Sequence, residues 1–323
     1  MKNTTAKILA PAACLSFFLS ASAMLARLEP FYTGFYSFAW WSYILAAQAF
    51  LHLRKGRSLL FESPARFLLL LPLSTAVWLV FEALNFRLSN WHYINIPTDL
   101  AARWPGYPIA YSTVLPGIFT TMALLDFAGI LRNHRVKPLG NPAGLYHPFI
   151  ITGILFLVLP LLWPNFLFPL VWGAFIFLLE PLNHRYGAPS LLRDWHNGSL
   201  RNFYLLMFSG ALCGLLWEFW NYWAGAKWIY TVPYVGWLKV FEMPLLGFLG
   251  FPPFAVECFT MTSAFFLLIS KIKEKYPPRV VAALFFAATL LAVISALLIF
   301  AGIDRFTIIS YRDFSIFTVS PRP

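Results

Sequence analysis

The sequence predicts an all-α, polytopic bundle of about nine transmembrane helices, and three observations carry that expectation: composition, the spacing of apolar runs, and an internal duplication. Hydrophobic residues make up 59% of the 323-residue chain and charged residues only 11%, against about a quarter charged in a soluble domain. A membrane span needs about 20 apolar residues. Runs of that kind fall near 8–27, 31–53, 66–86, 108–131, 147–163, 165–184, 200–223, 252–271 and 278–302.

The net charge of +11 would suit nucleic acid if the basic residues formed one patch. They sit instead in short clusters between spans, which sets nucleic acid aside and fits the positive-inside rule. One set of alternate connections carries 16 basic residues, Arg54, Lys55, Arg57, Arg132, Arg135 and Lys137 among them, and the other set carries 8. The richer side reads as cytoplasmic, with the N-terminus in and the C-terminus out. Residues 1–26 also have the parts of a signal peptide: Lys2 and Lys7, an apolar stretch, and the small run Ser20-Ala21-Ser22-Ala23. Cleavage would leave the other helices oriented the same way. Cys14, Cys213 and Cys258 lie inside apolar runs and read as small hydrophobes rather than as disulfide partners or zinc ligands.

The third observation locates the candidate chemistry. Trp78-Leu79-Val80-Phe81-Glu82-Ala83-Leu84-Asn85, followed by Trp91-x-Tyr93 and Pro97, recurs as Leu215-Leu216-Trp217-Glu218-Phe219-Trp220-Asn221, followed by Trp228-x-Tyr230 and Pro233. Pro116 and Pro252 each follow their glutamate by 34 residues, and Trp40 and Trp172 each precede a matched serine, Ser58 or Ser190, by 18. Spans two to four therefore correspond to spans six to eight in the same orientation, a parallel repeat. The expected organisation is a first unit over 1–140, a second over 141–275, and a final helix with an external tail over 276–323. The connections 87–107 and 224–251 are aromatic and rich in Pro and Gly, too apolar for solvated loops and too broken for helices. They read as interfacial or re-entrant caps, with Trp91, Tyr93, Trp104, Tyr107, Trp223, Trp228, Tyr230 and Trp237 at the headgroup level.

Carboxyl groups inside a bilayer cost about 2.5–3.5 kcal/mol each, so each needs a reason. Glu82, Glu218 and Glu257 fall in the same outer layer, and Asn85 and Asn221 share a helical face with their glutamates. A buried carboxyl oriented by an asparagine three residues on is a candidate general acid. It is also what two helices need to hydrogen-bond each other and do nothing more. Glu242 and extra aromatics make the second half the favoured site, with Trp217, Trp220, Trp223, Trp228, Tyr230 and Phe254 as candidate walls. Asp126 and Glu180 read as structural, with Arg132 and Arg185 as partners. His184 and His196, in the basic loop 181–199, suit lipid headgroups better than a metal. No histidine pair has ligand spacing on a span, and the chain contains no Asp-rich diphosphate–magnesium motif, P-loop, Gly-rich dinucleotide turn or Gly-x-Ser-x-Gly elbow. The expectation is accordingly no metal and no cofactor, with membrane lipids and an apolar small molecule as partners and the oligomeric state open.

The segment Pro252-Pro253-Phe254-Ala255-Val256-Glu257-Cys258-Phe259, on a duplicated membrane scaffold, resembles the integral-membrane carotenoid (lycopene) cyclases, whose repeats carry Pro-x-Glu-Glu-x-x-x-Phe. Here Val256-Glu257 stands where that family has two acids. The resemblance implies cofactor-free, proton-initiated cyclisation of a polyene isoprenoid, with Glu257 or Glu218 as acid and aromatic faces stabilising the cation. The remaining segments resemble bacterial polytopic membrane proteins, which implies a bacterial cytoplasmic (inner) membrane and assigns no chemistry. Two other readings stand beside the enzyme: a proton- or cation-coupled transporter or channel using Glu82 and Glu218, and a scaffold whose polar pairs only pack helices.

Overall fold

The computed structural model describes residues 2–313, 315–316 and 318–320. In chain order its helices are α1 (Lys2–Leu25), α2 (Phe35–Lys55), the short α3 (Leu59–Glu62), α4 (Pro64–Leu88), α5 (Leu100–Tyr111), α6 (Val114–Phe127), α7 (Tyr146–Leu162), the short α8 (Pro164–Leu167), α9 (Ala174–Tyr186), α10 (Leu191–His196), α11 (Arg201–Trp223), α12 (Phe251–Lys275) and α13 (Pro278–Phe306). Six short strands complete it: β1 (Trp91–Ile94), β2 (Ile96–Pro97), β3 (Lys227–Tyr230), β4 (Lys239–Val240), β5 (Met243–Pro244) and β6 (Tyr311–Arg312).

Among the described residues, eight helical segments are long and apolar enough to cross a membrane. The fold is that of a multi-pass helical bundle. The expected span near 31–53 exists as the 21-residue α2 but is not among those eight. Its Trp40, Ser42, Gln48 and His52 are buried in the protein, so α2 faces other helices and lacks the uniform apolarity that lipid contact demands. At the other extreme, the 29-residue α13 buries only Phe300 and Ile303, and α7 buries only Gly153 and Pro160. These two present Leu, Ile, Val and Phe outward, as lipid requires.

The expected span near 108–131 is two helices. The connection 87–107 is correspondingly shorter than expected, because α5 begins at Leu100 and carries Pro105 and Pro108 within it. The chain breaks at Ser112–Thr113, and Ser74 of α4 mends the break: its Oγ donates to Tyr111 O at 2.6 Å and accepts from Leu115 N at 3.0 Å. Irregular backbone at membrane depth persists where protein groups satisfy it in this way.

Helix ends follow their residues. Gly56 after α2 and Gly187 after α9 both adopt left-handed backbone, with φ of 73° and 87°, and their N–H groups close onto His52 O and Asn183 O. Glycine takes that conformation without steric cost.

The connections segregate to two faces. On one, β1 pairs antiparallel with β3 in the register Trp91↔Tyr230 and Tyr93↔Trp228, β2 pairs in parallel with β6, and Glu29 N donates to Thr318 O at 2.9 Å. We refer to this as the ribbon face. On the opposite face Lys55 and Arg201 both clasp Asp126, at 2.5 and 2.6 Å, Val136 N donates to Gly198 O, and Arg66 lies over the Phe266 ring at 4.7 Å. The segment 224–251, expected as an interfacial cap, is built from β3, the β4–β5 hairpin and a 3₁₀ turn at Leu245–Gly250.

The core is aromatic and lies between the matched segments. Trp40 packs on Trp217 with ring centroids 5.6 Å apart, and Trp172 packs on Phe81 at 5.2 Å. In each case a tryptophan from one half of the chain packs on an aromatic ring from the other half.

Candidate functional site

Glu82 and Asn85, on the last turns of α4, are fully buried. Asn85 serves the start of β1. Its Nδ2 donates to Trp91 O at 2.9 Å, and its Oδ1 accepts from Asn90 N at 2.8 Å and Trp91 N at 3.3 Å. Asn221 repeats the arrangement at the end of α11, with Nδ2 donating to Trp228 O at 2.8 Å and Oδ1 accepting from Trp228 N at 3.0 Å. Each asparagine turns the chain from helix into ribbon, and neither is bonded to its own glutamate in these contacts. This differs from the expected role of orienting the carboxyl: the nearby backbone donors and acceptors claim the amide first.

The glutamates are held by ribbon and helix aromatics instead. Four donors converge on Glu82 Oε1: Trp78 Nε1 at 2.8 Å, Trp91 Nε1 at 3.3 Å, Tyr93 Oη at 2.5 Å and Tyr111 Oη at 3.4 Å. At Glu218, Tyr230 Oη donates to Oε1 at 2.8 Å while accepting from Trp228 Nε1 at 2.8 Å. Where Trp78 sits one turn before Glu82, Gly214 sits one turn before Glu218. The ring of Phe251 fills that space, so close that an added Cβ would meet its Cδ2 at 2.2 Å. Both glutamates keep one buried oxygen, Oε2, without a hydrogen-bond partner. On the ribbon itself, burial and then the adjacent carboxyl push the hydroxyls of Tyr93 and Tyr230 well above the ordinary phenol range.

Because side chains alternate along a strand, Trp91, Tyr93, Trp228 and Tyr230 project to one side of the ribbon, inward. There they line a cavity of about 1380 Å³ whose walls also include Trp78, Tyr111, Trp172, Trp217, Phe251 and Phe254. The glutamates are not among its lining residues. They stand one side chain back, behind the tyrosines and tryptophans bonded to them.

The other candidates separate. Glu257 lies elsewhere: its Oε1 accepts from Phe175 N at 2.9 Å, an unpaired amide in the first turn of α9, and so it caps a helix. Glu242 pairs with Lys227 at 2.6 Å. Trp220 packs against Trp40 at 4.8 Å, outside the cavity lining, and Trp223 is exposed. The expected aromatic belt divides likewise. Four of its members turn inward, Trp104 and Tyr107 donate to Asp304 at 2.9 Å, and Trp237 stays exposed.

The two structural acids have partners other than those expected. Asp126 takes Lys55 and Arg201 rather than Arg132, because helices α2, α6 and α11 converge there. Glu180 takes no arginine in these contacts: its Oε1 accepts from Ser190 Oγ at 2.5 Å and Leu192 N at 2.9 Å. Gln48 does the corresponding work for Leu60 N at 3.1 Å. Trp91, Tyr93, Tyr111 and Trp172 were not singled out as site residues from sequence. The signal for Tyr93 and Trp172 is present in the sequence, since each has a counterpart, Tyr230 or Trp40, in the recurring residue pattern. Tyr111 has no such marker.

No group of three or more His, Cys, Asp or Glu among the described residues is placed to hold a metal ion. Comparison of the chain with family models, with curated protein sequences and with solved structures finds no match.

Proposed function

We propose that this protein takes a membrane lipid or isoprenoid chain into the aromatic cavity and acts on it there. The observation that carries the reading is the cavity itself. At about 1380 Å³ it exceeds the range of roughly 300–1,000 Å³ typical of small-ligand sites, and its walls are mostly apolar, with tryptophan, phenylalanine and tyrosine prominent among them. A cargo polar or ionic throughout would gain little from such walls, whereas an unsaturated or saturated chain packs against them.

The organisation that supports this reading is a parallel duplication with the cavity at its centre. The strand register fits a two-fold relation, because Trp91 corresponds to Trp228 and Tyr93 to Tyr230, and each pairs with the other's neighbour. The asparagine bonds, the Gln48 and Glu180 bonds and the exchanged Trp40 and Trp172 contacts fit the same relation. The basic face is taken as cytoplasmic, which puts the ribbon and the upper cavity on the outer side of a bacterial inner membrane.

The position of both carboxyls one side chain behind the cavity lining, held by its aromatic donors, favours acid–base chemistry over storage. Cyclisation or isomerisation of an alkene needs a proton delivered to one carbon and removed from another, and a carboxyl can do both without a cofactor. Tyr93 and Tyr230 stand between the carboxyls and the cavity, so the carboxyl must reach the ligand past its phenol. Glu218, with Gly214 in place of a tryptophan donor, is the less encumbered of the two. The test compares lipid extracts from cells expressing wild-type protein, Glu218→Gln and Tyr230→Phe. The expected outcome is one apolar species present only with wild type and Tyr230→Phe. Identical extracts from wild type and Glu218→Gln would remove the enzyme and leave a binding protein. Proton- or cation-coupled flux in liposomes, abolished by Glu82→Gln and by Glu218→Gln, would establish a transporter instead.

A further inference from the structure

We infer that the occupant is an amphiphile of a single leaflet, admitted sideways between α1–α2 and α5, with its chain along α2 and a hydrogen-bond-donating head beside Asn90. The inference rests on the lipid reading above and narrows it from any apolar chain to one lipid class.

Depth supports it first. Along α2 the lining runs from Gly34 to Leu45, about 16 Å at 1.5 Å per residue. That is roughly half of a hydrocarbon core about 30 Å thick. The deep end is apolar, formed by Leu9 and Ala13 of α1 and Leu45 of α2. The ribbon end is polar, with Asn90, Asp99, Arg103 and Lys227 in the lining. A molecule apolar from end to end would leave that collar unmatched.

The collar is specific in what it lacks. Arg103 is paired with Asp304 at 2.9 Å and Lys227 with Glu242 at 2.6 Å, so neither offers an uncompensated charge to an anion. Asn90 is 3% exposed, lines the cavity, and has an Oδ1 with no hydrogen-bond partner. Leaving such an acceptor unmet costs free energy, and a ligand hydroxyl or ammonium N–H meets it. Amine- and glycerol-headed lipids carry such donors. Choline-headed lipids do not.

The entrance is visible in the exposure pattern. Ala12 and Ser16 of α1 and Pro105 and Ile109 of α5 line the cavity and are also exposed at the protein surface, within segments long and apolar enough to span. The cavity is therefore open toward lipid. Trp41 Nε1 donates to Ile109 O at 3.1 Å, a single bond from α2 to α5 beside this opening. Gly106, another lining residue, has nothing within 4 Å of an added Cβ, so a side chain is accommodated there at the edge of the cavity and a bulky one narrows the opening.

The test uses the full-length protein in vesicles that contain phosphatidylethanolamine or phosphatidylcholine with a photoreactive acyl chain. Cross-linked peptides are mapped by mass spectrometry. Ethanolamine lipid is expected to label α2 and α5 about fivefold more than choline lipid, the value of one net hydrogen bond. Asn90→Leu should equalise the two, Gly106→Trp should abolish both, and Gly106→Ala should change neither. If Gly106→Trp does not fold, Gly106→Leu replaces it. Equal labelling by both heads in wild type, or labelling indifferent to every Gly106 variant that folds, overturns the inference. A photoreactive hydrocarbon without a head separates the levels. Its labelling of Trp217 or Phe254 where phospholipids fail retains the lipid cavity and rejects the amphiphile. Absence of labelling by every probe rejects both.

Discussion

Glu257 and Glu218 are expected in the same outer layer on two successive spans, yet the structure gives them different work. Glu257 accepts a backbone N–H from α9. A glutamine there can still accept it, so Glu257→Gln should leave the thermal midpoint in detergent nearly unchanged while Glu257→Ala lowers it by the equivalent of about 1–3 kcal/mol. Asn85 is the sharper case, since its amide meets three backbone groups at the root of the ribbon. Asn85→Ala should destabilise by at least as much, read by the same melt. At Glu180 the matched position is Gln48, which performs the same bond to Leu60 N. Glu180→Gln is therefore expected to fold and melt like wild type, and a large drop would show that its charge is needed. These roles were only half legible beforehand. That each glutamate shares a helix face with an asparagine could be read from their spacing, but spacing on one helix says nothing of the backbone amides that a following strand or a neighbouring helix brings within reach.

At the scale of elements, the helices and the matched motifs were legible because long apolar runs stand out in a sequence and because Trp, Glu, Asn and Tyr recur in the same order. Two things were not. The break at Ser112–Thr113 is bridged by Ser74 from another helix; Pro116, which has no N–H for Ser112 O, marks a helix start nearby, but nothing local names the bridging serine. The ribbon register depends on two strands far apart in sequence, each too short to show a pattern of its own. Close approach of α11 and α12 is a further tertiary fact. A Cβ on Gly210 would lie 2.3 Å from Phe251 O, so the two helices meet at backbone distance, as small residues permit in membranes. Gly210→Ala must push them apart. The expected cost is about 1–3 kcal/mol, measured as a lower melting temperature, and the cavity wall at Phe251 should shift with it.

For the whole molecule, the segregation of connections into a basic face and a ribbon face makes the proposed orientation testable. After replacement of Cys14 by Ala, a cysteine at Trp237 should react with a membrane-impermeant maleimide in intact cells, and one at Gly140 only after lysis. The opposite result would invert the arrangement and move the cavity to the inner leaflet. The ribbon face also has a biosynthetic consequence. Tyr93 N donates to Thr307 O, Ile96 N to Ser310 O and Thr98 N to Arg312 O, so the first ribbon strands borrow their acceptors from residues made more than two hundred positions later. In the proposed orientation, those amides face the bilayer surface unpaired until α13 has inserted and the chain beyond it has crossed. The cavity is thus roofed last, and a nascent chain stalled before residue 307 would hold its aromatic interior open to the membrane, where a chaperone or a protease can recognise it.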